Sequence, residues 1–256
     1  MRQEGLMLRV FMVDLSYFFR TKWLVFTLIA LNLSDMFVTG LVYSRMMSFE
    51  YFRFFVPGVV VAGMFAAALD VGRRVYLGLT QGVTQYYLSL PIDLDAIVLA
   101  HILSAGVGGM IYGGVLLAVA MAAVPGLASP STLVIVPFMF LLSMGLSGIA
   151  AVLNLFSGGG DRYWVFAEGM QVAMLGLSTV FYPEQAMQAY LPAFAVEAVT
   201  LNPLSQVAGA LRGVSPAGFG ASSLALMALT SLLLLAVGFV SYRHVFLKVR
   251  LLGKVQ

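Results

Sequence analysis

RRVYLGLTQGVTQYYLSLPIDLDA, residues 73–96, lies between two long apolar runs and decides how the chain divides. It is too polar to cross a bilayer and too patterned to be a slack linker. Tyr76, Leu79, Val83, Tyr86 and Leu90 recur at spacings of 3, 4, 3 and 4, which is one stripe of a helix. Arg73, Thr80, Gln81, Thr84 and Gln85 fall on the other side. Pro91 stops the helix, because its ring cannot continue the hydrogen-bond ladder. The stretch is therefore expected to be a short amphipathic helix joining two membrane spans. Its wet face fits two readings: a solvated connector on the lipid surface, or a docking element that passes force from a soluble partner into the spans.

Composition sets the class around it. Of 256 residues, 61% are hydrophobic and 10% charged, against about 25% charged in an ordinary soluble domain. The mean hydropathy is +0.97, which places the chain among membrane proteins. The sequence has no cysteine, so a disulfide framework, a thiol nucleophile and a Cys-based metal site are excluded. His101 and His244 are the only histidines, too few for a multi-His metal centre. The pI near 9.2 would suggest nucleic acid in a soluble protein. Here the basic residues flank apolar runs, and membrane orientation explains them without a nucleic-acid partner.

From the N-terminus, residues 1–22 read as an interfacial helix. Arg2, Arg9, Ser16 and Arg20 share one face, while Leu6, Val10, Phe11, Val13, Phe18 and Phe19 fill the rest. Glu4 and Asp14 lie off that polar stripe. The apolar run that follows exceeds the core of a cleavable leader, so it reads as a retained span. Six stretches have the roughly 20 mainly apolar residues a span needs: about 23–44, 54–72, 97–124, 132–156, 164–182 and 219–242. Together they form a single all-α membrane domain. Pro125, Gly126, Ser129 and Pro130 mark one turn and SGGGDR, 157–162, a polar loop. Between residues 183 and 218, Pro183, Pro192, Pro203 and Pro216 interrupt an otherwise apolar segment. Short helices dipping into the outer leaflet are expected there, because a free loop would not show so much apolar surface. No internal repeat is visible, which argues against an inverted-repeat carrier.

With the N-terminus in the cytoplasm, inside segments hold eleven Lys and Arg and outside segments three, namely Arg45, Arg53 and Arg212. That asymmetry puts both termini and residues 73–96 on the cytoplasmic side of a plasma or inner membrane.

Three stretches then carry a resemblance. EYFRFFVPG, 50–58, resembles the Tyr-x-x-Phe-x-x-Pro-Gly signature at the outer start of the second span in type-2 ABC-transporter permeases. GVTQYYLSLP, 82–91, resembles that family's cytoplasmic Gly-Thr-x-Glu-x-Leu-x-x-x-Pro segment, with Val83 in place of Thr and Gln85 in place of Glu. LNPLSQVAGALR, 201–212, resembles its Asn-Pro-Leu to Leu-Arg segment before the last span. The resemblance implies six spans, a re-entrant outer segment and a permease subunit that pairs with a second copy and two separate ATPases. Residues 73–96 then correspond to the family's coupling helix, with Arg73, Arg74, Tyr76, Thr80, Gln81, Thr84 and Gln85 facing the ATPase. Gln85 offers neutral hydrogen bonds where the family's Glu offers charge-assisted ones, about twice as strong. No GxxxxGK[ST] pattern occurs, so ATP and Mg are expected on the partner subunit and no cofactor on this chain.

Polar residues inside the spans are the remaining site candidates. Asp35, with Asn32 one turn earlier, either lines a translocation path, or snorkels outward or pairs with Arg45 or Arg53. Thr179 is the third path candidate. Asp70 precedes Arg73 and Arg74 at helix ion-pair spacing and reads as structural. Glu168 is expected to pair with Arg162 or with a basic residue of the interfacial helix, a gating role being the lesser alternative. Gly109 and Gly113 form a GxxxG suited to close packing within the subunit. Gly145-Leu-Ser147-Gly148 matches the serine motif of intramembrane proteases and would need a histidine, here His101, within about 3 Å. The spans hold no ring of cations for polyanionic cargo. An exporter of amphiphilic, drug-like or lipid-like molecules fits, and sugar polymers that stack on Tyr and Phe fit as well. A proton-coupled carrier using Asp35 is the alternative, and the serine protease is the alternative from a different class.

Overall fold

The computed structural model describes residues 2–20, 22–46, 49–80, 91–157, 161–213 and 221–252, and across these the chain is helical with no strand. The helices are α1 Arg2–Arg20, α2 Lys22–Ser34, α3 Gly40–Met46, α4 Phe49–Thr80, α5 Leu94–Ala123, α6 Pro130–Ser157, α7 Asp161–Gly176, α8 Glu184–Gln188, α9 Ala193–Leu201, α10 Pro203–Leu211 and α11 Ala221–Leu252. Four of them are long and apolar enough to cross a membrane: α4 over Glu50–Asp70, α5, α6, and α11 over Ser222–Lys248. The chain is built for a bilayer.

The other two expected spans take different forms. Residues 22–46 run as one helical path, but a π-helical segment, Asp35–Thr39, separates α2 from α3. Its ring closes where the Gly40 N–H donates to the Asp35 carbonyl oxygen, one residue further back than in an α-helix. The expected span 164–182 is a shorter helix. α7 stops at Gly176 after 16 residues, about 24 Å. Residues 177–182 turn away because their neighbours consume the carbonyls that would continue the ladder, as described below.

The expected break at residue 73 is absent. α4 runs as one helix from Phe49 to Thr80, past residue 73. Gly72 alone does not stop a helix, and the first residue that must is Pro91. The helical reading of 73–80 holds, but as the last turns of α4 rather than a separate element. The part of that reading covering 81–90 lies outside the described residues.

α4 is the axis of the bundle. Its stretch Glu50–Asp70 is 83% buried within the fold, against 17% for Ser222–Lys248 of α11, which therefore sits at the periphery. Val56, Val60, Met64 and Phe65 of α4 meet Tyr112 and Leu116 of α5, Met139 and Leu142 of α6, and Leu204 and Val207 of α10. α6 and α11 approach backbone to backbone. A Cβ on Gly145 would lie 2.7 Å from the Leu234 carbonyl carbon and Leu235 nitrogen, and one on Gly148 2.8 Å from Gly238. Both glycines of the Gly-x-Ser-Gly pattern therefore serve a helix crossing. Gly109 likewise packs on Ser143 of α6 and Gly113 on Met64 of α4, within one chain.

A second apolar cluster fixes α1. Val10 is buried among Ile97, Val98 and Ile102 of α5 and Tyr242 and Phe246 of α11. Asp14 explains its own place off the polar stripe: its Oδ2 lies 3.4 Å from His101 Nε2 and accepts from Ser104 Oγ at 3.4 Å. The outer face of α1 stays apolar and exposed at Leu8, Met12 and Phe19.

Residues 183–211 form three short helices, as the prolines predict. Pro183 and Pro192 precede α8 and α9, and Pro203 opens α10, where its missing N–H costs nothing. α10 packs on protein, burying Leu204, Val207, Ala208 and Leu211.

Candidate functional site

A cavity of about 800 Å³ runs between three walls. α4 contributes Tyr51, Phe55, Val59, Ala62, Ala66, Leu69 and Asp70, spaced 4, 4, 3, 4, 3 and 1, which is one stripe of the helix. From Tyr51 to Asp70 that stripe covers about 28 Å, close to the hydrocarbon thickness of a bilayer. The second wall is Leu31 and Asn32 of α2, Asp35 and Thr39 of the π segment, and Tyr43 of α3. The third is Trp164, Ala167, Glu168, Gln171 and Leu175 of α7, closed at one end by Phe181, Tyr182, Pro183 and Ala186.

Asn32 and Asp35, both expected on a path, do line this cavity. Asn32 also donates through Nδ2 to the Tyr112 hydroxyl at 2.5 Å, which fixes α2 on α5. Asp70, 6% exposed, and Glu168, exposed, line it as well. The alternatives to a place on the path were pairing of Glu168 with Arg162 or a basic residue of α1, and of Asp35 with Arg45 or Arg53. Among the described residues neither carboxylate takes part in an ion pair or hydrogen bond. Asp70 sits where the Tyr163 hydroxyl donates to the Leu69 carbonyl oxygen, tying α7 to α4 beside it.

Thr179 does not line the cavity. It belongs to a turn, and both of its own backbone polar groups are engaged. Its N–H donates to Ser205 Oγ at 2.8 Å, and its carbonyl oxygen accepts from Arg212 Nη1 at 2.7 Å. Arg212 is the organising residue of this end of the molecule. Its Nη2 donates to the Val180 carbonyl oxygen at 2.5 Å and its Nε to the Phe54 carbonyl oxygen at 2.9 Å. Phe54 sits next to the turn where Pro57 interrupts the α4 ladder. A Cβ on Gly58 would overlap the Val180 carbonyl oxygen, so glycine is what lets 178–181 lie flat on α4. Tyr51 completes the contact by donating to the Phe181 carbonyl oxygen at 3.3 Å. Burial pushes the Arg212 guanidinium down to about 9, with Tyr51 pulling the other way, and it stays charged at neutral pH.

Asn202 secures the same turn from its other side. Its Nδ2 donates to the carbonyl oxygens of Met174 at 2.8 Å and Leu177 at 2.7 Å, two groups the end of α7 leaves open. Its Oδ1 accepts from the Leu204 N–H at 2.9 Å and so caps α10. One side chain ends one helix and starts another. Ser178 Oγ donates to the Leu175 carbonyl oxygen at 2.6 Å and helps bring the chain round.

Arg73, Arg74, Tyr76 and Thr80 lie on the last turns of α4, their side chains outside what the structure describes. Gln81, Thr84 and Gln85 lie outside the described residues altogether. Ser147 and His101 are not brought together as a nucleophile and base. Ser147 Oγ donates to the Ser143 carbonyl oxygen at 2.7 Å, while His101 Nδ1 meets the Tyr242 hydroxyl at 2.7 Å. Among the described residues no group of three His, Asp or Glu is placed to hold a metal ion.

Sequence reasoning missed Tyr43, Tyr51, Trp164 and Gln171 as cavity residues. The signal was present in Tyr51, Phe55, Val59, Ala62 and Ala66, but an all-apolar stripe does not distinguish a cavity wall from packed core. No protein-family model matches the chain and no curated protein matches it.

Proposed function

We propose that the chain is the membrane subunit of an ATP-driven exporter of the type-2 ABC permease kind. In this reading residues 22–46 and α7 join the four long helices as spans, α1 lies in the cytoplasmic interface, and α8 to α10 re-enter the outer leaflet. Two copies pair, and each is gripped by a separate ATPase at residues 73–91. Both termini face the cytoplasm, and the cavity of Asn32 and Asp35 is the cargo path.

What supports this most is one contact. The two outer stretches that carry the resemblance, 51–58 and 201–212, are some 150 residues apart yet pack on each other through Arg212, Phe54 and Gly58. A chance likeness in two greasy segments has no reason to converge in space. The membrane-length stripe of α4 in the cavity is consistent with the same reading.

The test is to solubilise the chain from its native membrane in mild detergent and look for a P-loop ATPase purifying with it. Reconstituted, the pair should hydrolyse ATP faster with cargo, and a Thr80→Arg/Gln81→Glu variant should lose that stimulation. Transport by the chain alone, without ATP, ends the reading. Asp35, which lines the cavity and has no ion pair or hydrogen bond among the described residues, gives a proton-coupled carrier as second reading. That one predicts cargo movement driven by a pH gradient and abolished by Asp35→Asn.

A further inference from the structure

We infer that the cavity takes lipophilic organic cations, molecules with a drug-sized apolar body and a positive centre. This rests on reading the cavity as the cargo path. Among the described residues its lining holds three carboxylates, Asp35, Asp70 and Glu168, and no Lys, Arg or His. Carboxylates at membrane depth are costly unless a cation or water meets them. An anionic or phosphate-bearing cargo would face the like charges of Asp35 and Glu168, which join no ion pair among the described residues.

The carboxylates sit on three different elements: Asp35 on the π segment, Asp70 on α4 and Glu168 on α7. Among the described residues they do not converge into a metal-holding group. An inorganic ion, which needs several oxygens on one point, is therefore a poor fit. A diffuse organic cation needs only one carboxylate near its charge and apolar surface for the rest. That surface is present. At the Tyr51 end the rings form a chain, with centroids 6.0 Å apart for Tyr43 and Tyr51, 5.7 Å for Tyr51 and Phe55, and 5.7 Å for Phe55 and Phe181. Ring faces attract cations, most strongly where water is excluded. The volume of about 800 Å³ lies inside the range of roughly 300–1,000 Å³ that holds drug-sized ligands.

The experiment uses two ions of the same size and shape and opposite charge, tetraphenylphosphonium and tetraphenylborate. The full chain is placed in nanodiscs of zwitterionic lipid, with empty discs as background. Binding is read by quenching of Trp164, a cavity residue, in a Trp23→Phe background. The phosphonium should bind about tenfold or more tightly than the borate, the effect of one charge–charge contact at a partly wet site. Asp35→Asn and Glu168→Gln should each weaken the phosphonium about tenfold by the same arithmetic, and Glu184→Gln, outside the cavity, should not. Glu168 is exposed and holds no hydrogen bond among the described residues, so its variant keeps the test open if Asp35→Asn fails to fold. Equal binding of the two ions, or phosphonium binding indifferent to both variants, overturns the inference. Neither ATP nor a partner is needed for this measurement. Phosphonium binding without any ATPase would leave the cation site standing and remove the exporter. ATP-driven transport of another cargo with no phosphonium binding would do the reverse.

Discussion

The guanidinium of Arg212 lies 3.5 Å from the centroid of the Phe54 ring, and its Nε donates to the carbonyl oxygen of the same residue at 2.9 Å. One side chain thus holds both the face and the backbone of a residue 158 positions away. With the carbonyls of Thr179 and Val180 it uses donors from all three guanidinium nitrogens. Arg212→Met should remove these charge-assisted bonds and leave three carbonyls facing an apolar side chain, a loss of about 2–3 kcal/mol. Arg212→Lys keeps the charge without the planar fork and should recover less than half of that. Thermal denaturation of the purified variants in detergent, followed by near-UV circular dichroism, measures both. A Lys variant as stable as the parent would mean that charge alone holds the turn.

The α6–α11 crossing makes a different kind of demand. A methyl on Gly145 meets backbone atoms of Leu234 and Leu235 at 2.7 Å, and backbone cannot swing aside as a side chain can. Gly145→Ala should therefore force the helices apart and cost about 1–3 kcal/mol. Gly114, on α5, has nothing within 4 Å of a Cβ. There the same substitution should be neutral or stabilising by up to about 1 kcal/mol, because alanine favours the helix. The comparison of melting temperatures decides whether steric contact, rather than helix propensity, sets the role of these glycines.

Much of the architecture is legible locally. Pro130 and Pro203 open helices, Pro183 and Pro192 stand just before them, and Pro91 lies in the gap before α5. At these places proline acts through its own ring, whereas Pro57 and Pro137 lie inside α4 and α6, which continue past them. What the chain alone conceals depends on partners far away in sequence. The end of α7 is set by Asn202, 28 residues beyond Met174, and residues 164–182 therefore look like a complete span. Asp14 disrupts the polar stripe of α1 because it faces His101 on α5. The π segment at Asp35 ends at Gly40, where an added Cβ would lie 3.1–3.3 Å from the rings of Phe52 and Phe55, a closeness that involves residues 12 and 15 positions further on. The cavity shares this property: its α4 stripe reads as core, and only the placement of α2 and α7 opens it.

Asp14 and His101 join the α1 helix to the bundle, with Tyr242 behind the ring. Asp14→Asn removes the carboxylate from beside Nε2 while keeping its shape. Amide exchange in residues 2–20 should then accelerate while exchange in α5 and α11 stays as it was. A double-mutant cycle of Asp14→Asn with His101→Ala should return a coupling of about 0.5–3 kcal/mol, the range for residues in direct contact. If exchange in α1 does not change, the apolar burial of Val10 holds the helix unaided.

Asn202 and Arg212 both act on the turn between α7 and α8, and this makes their effects interdependent. Asn202 holds the carbonyls of Met174 and Leu177, and Arg212 holds those of Thr179 and Val180. Asn202→Ala frees the carbonyl of Met174 in α7 and that of Leu177 just beyond it, and uncaps α10, and a cap alone is worth about 1 kcal/mol. Once either residue is lost, the turn can move, and the bonds made by the other no longer meet their partners in register. The second substitution should then cost less than it does in the parent, with a coupling of about 0.5–3 kcal/mol. The measurement is a four-protein cycle of parent, Asn202→Ala, Arg212→Met and the double variant, each melted in the same detergent. Strict additivity would show that the two side chains hold separate pieces of chain, and residues 174–180 would not be one mechanical unit.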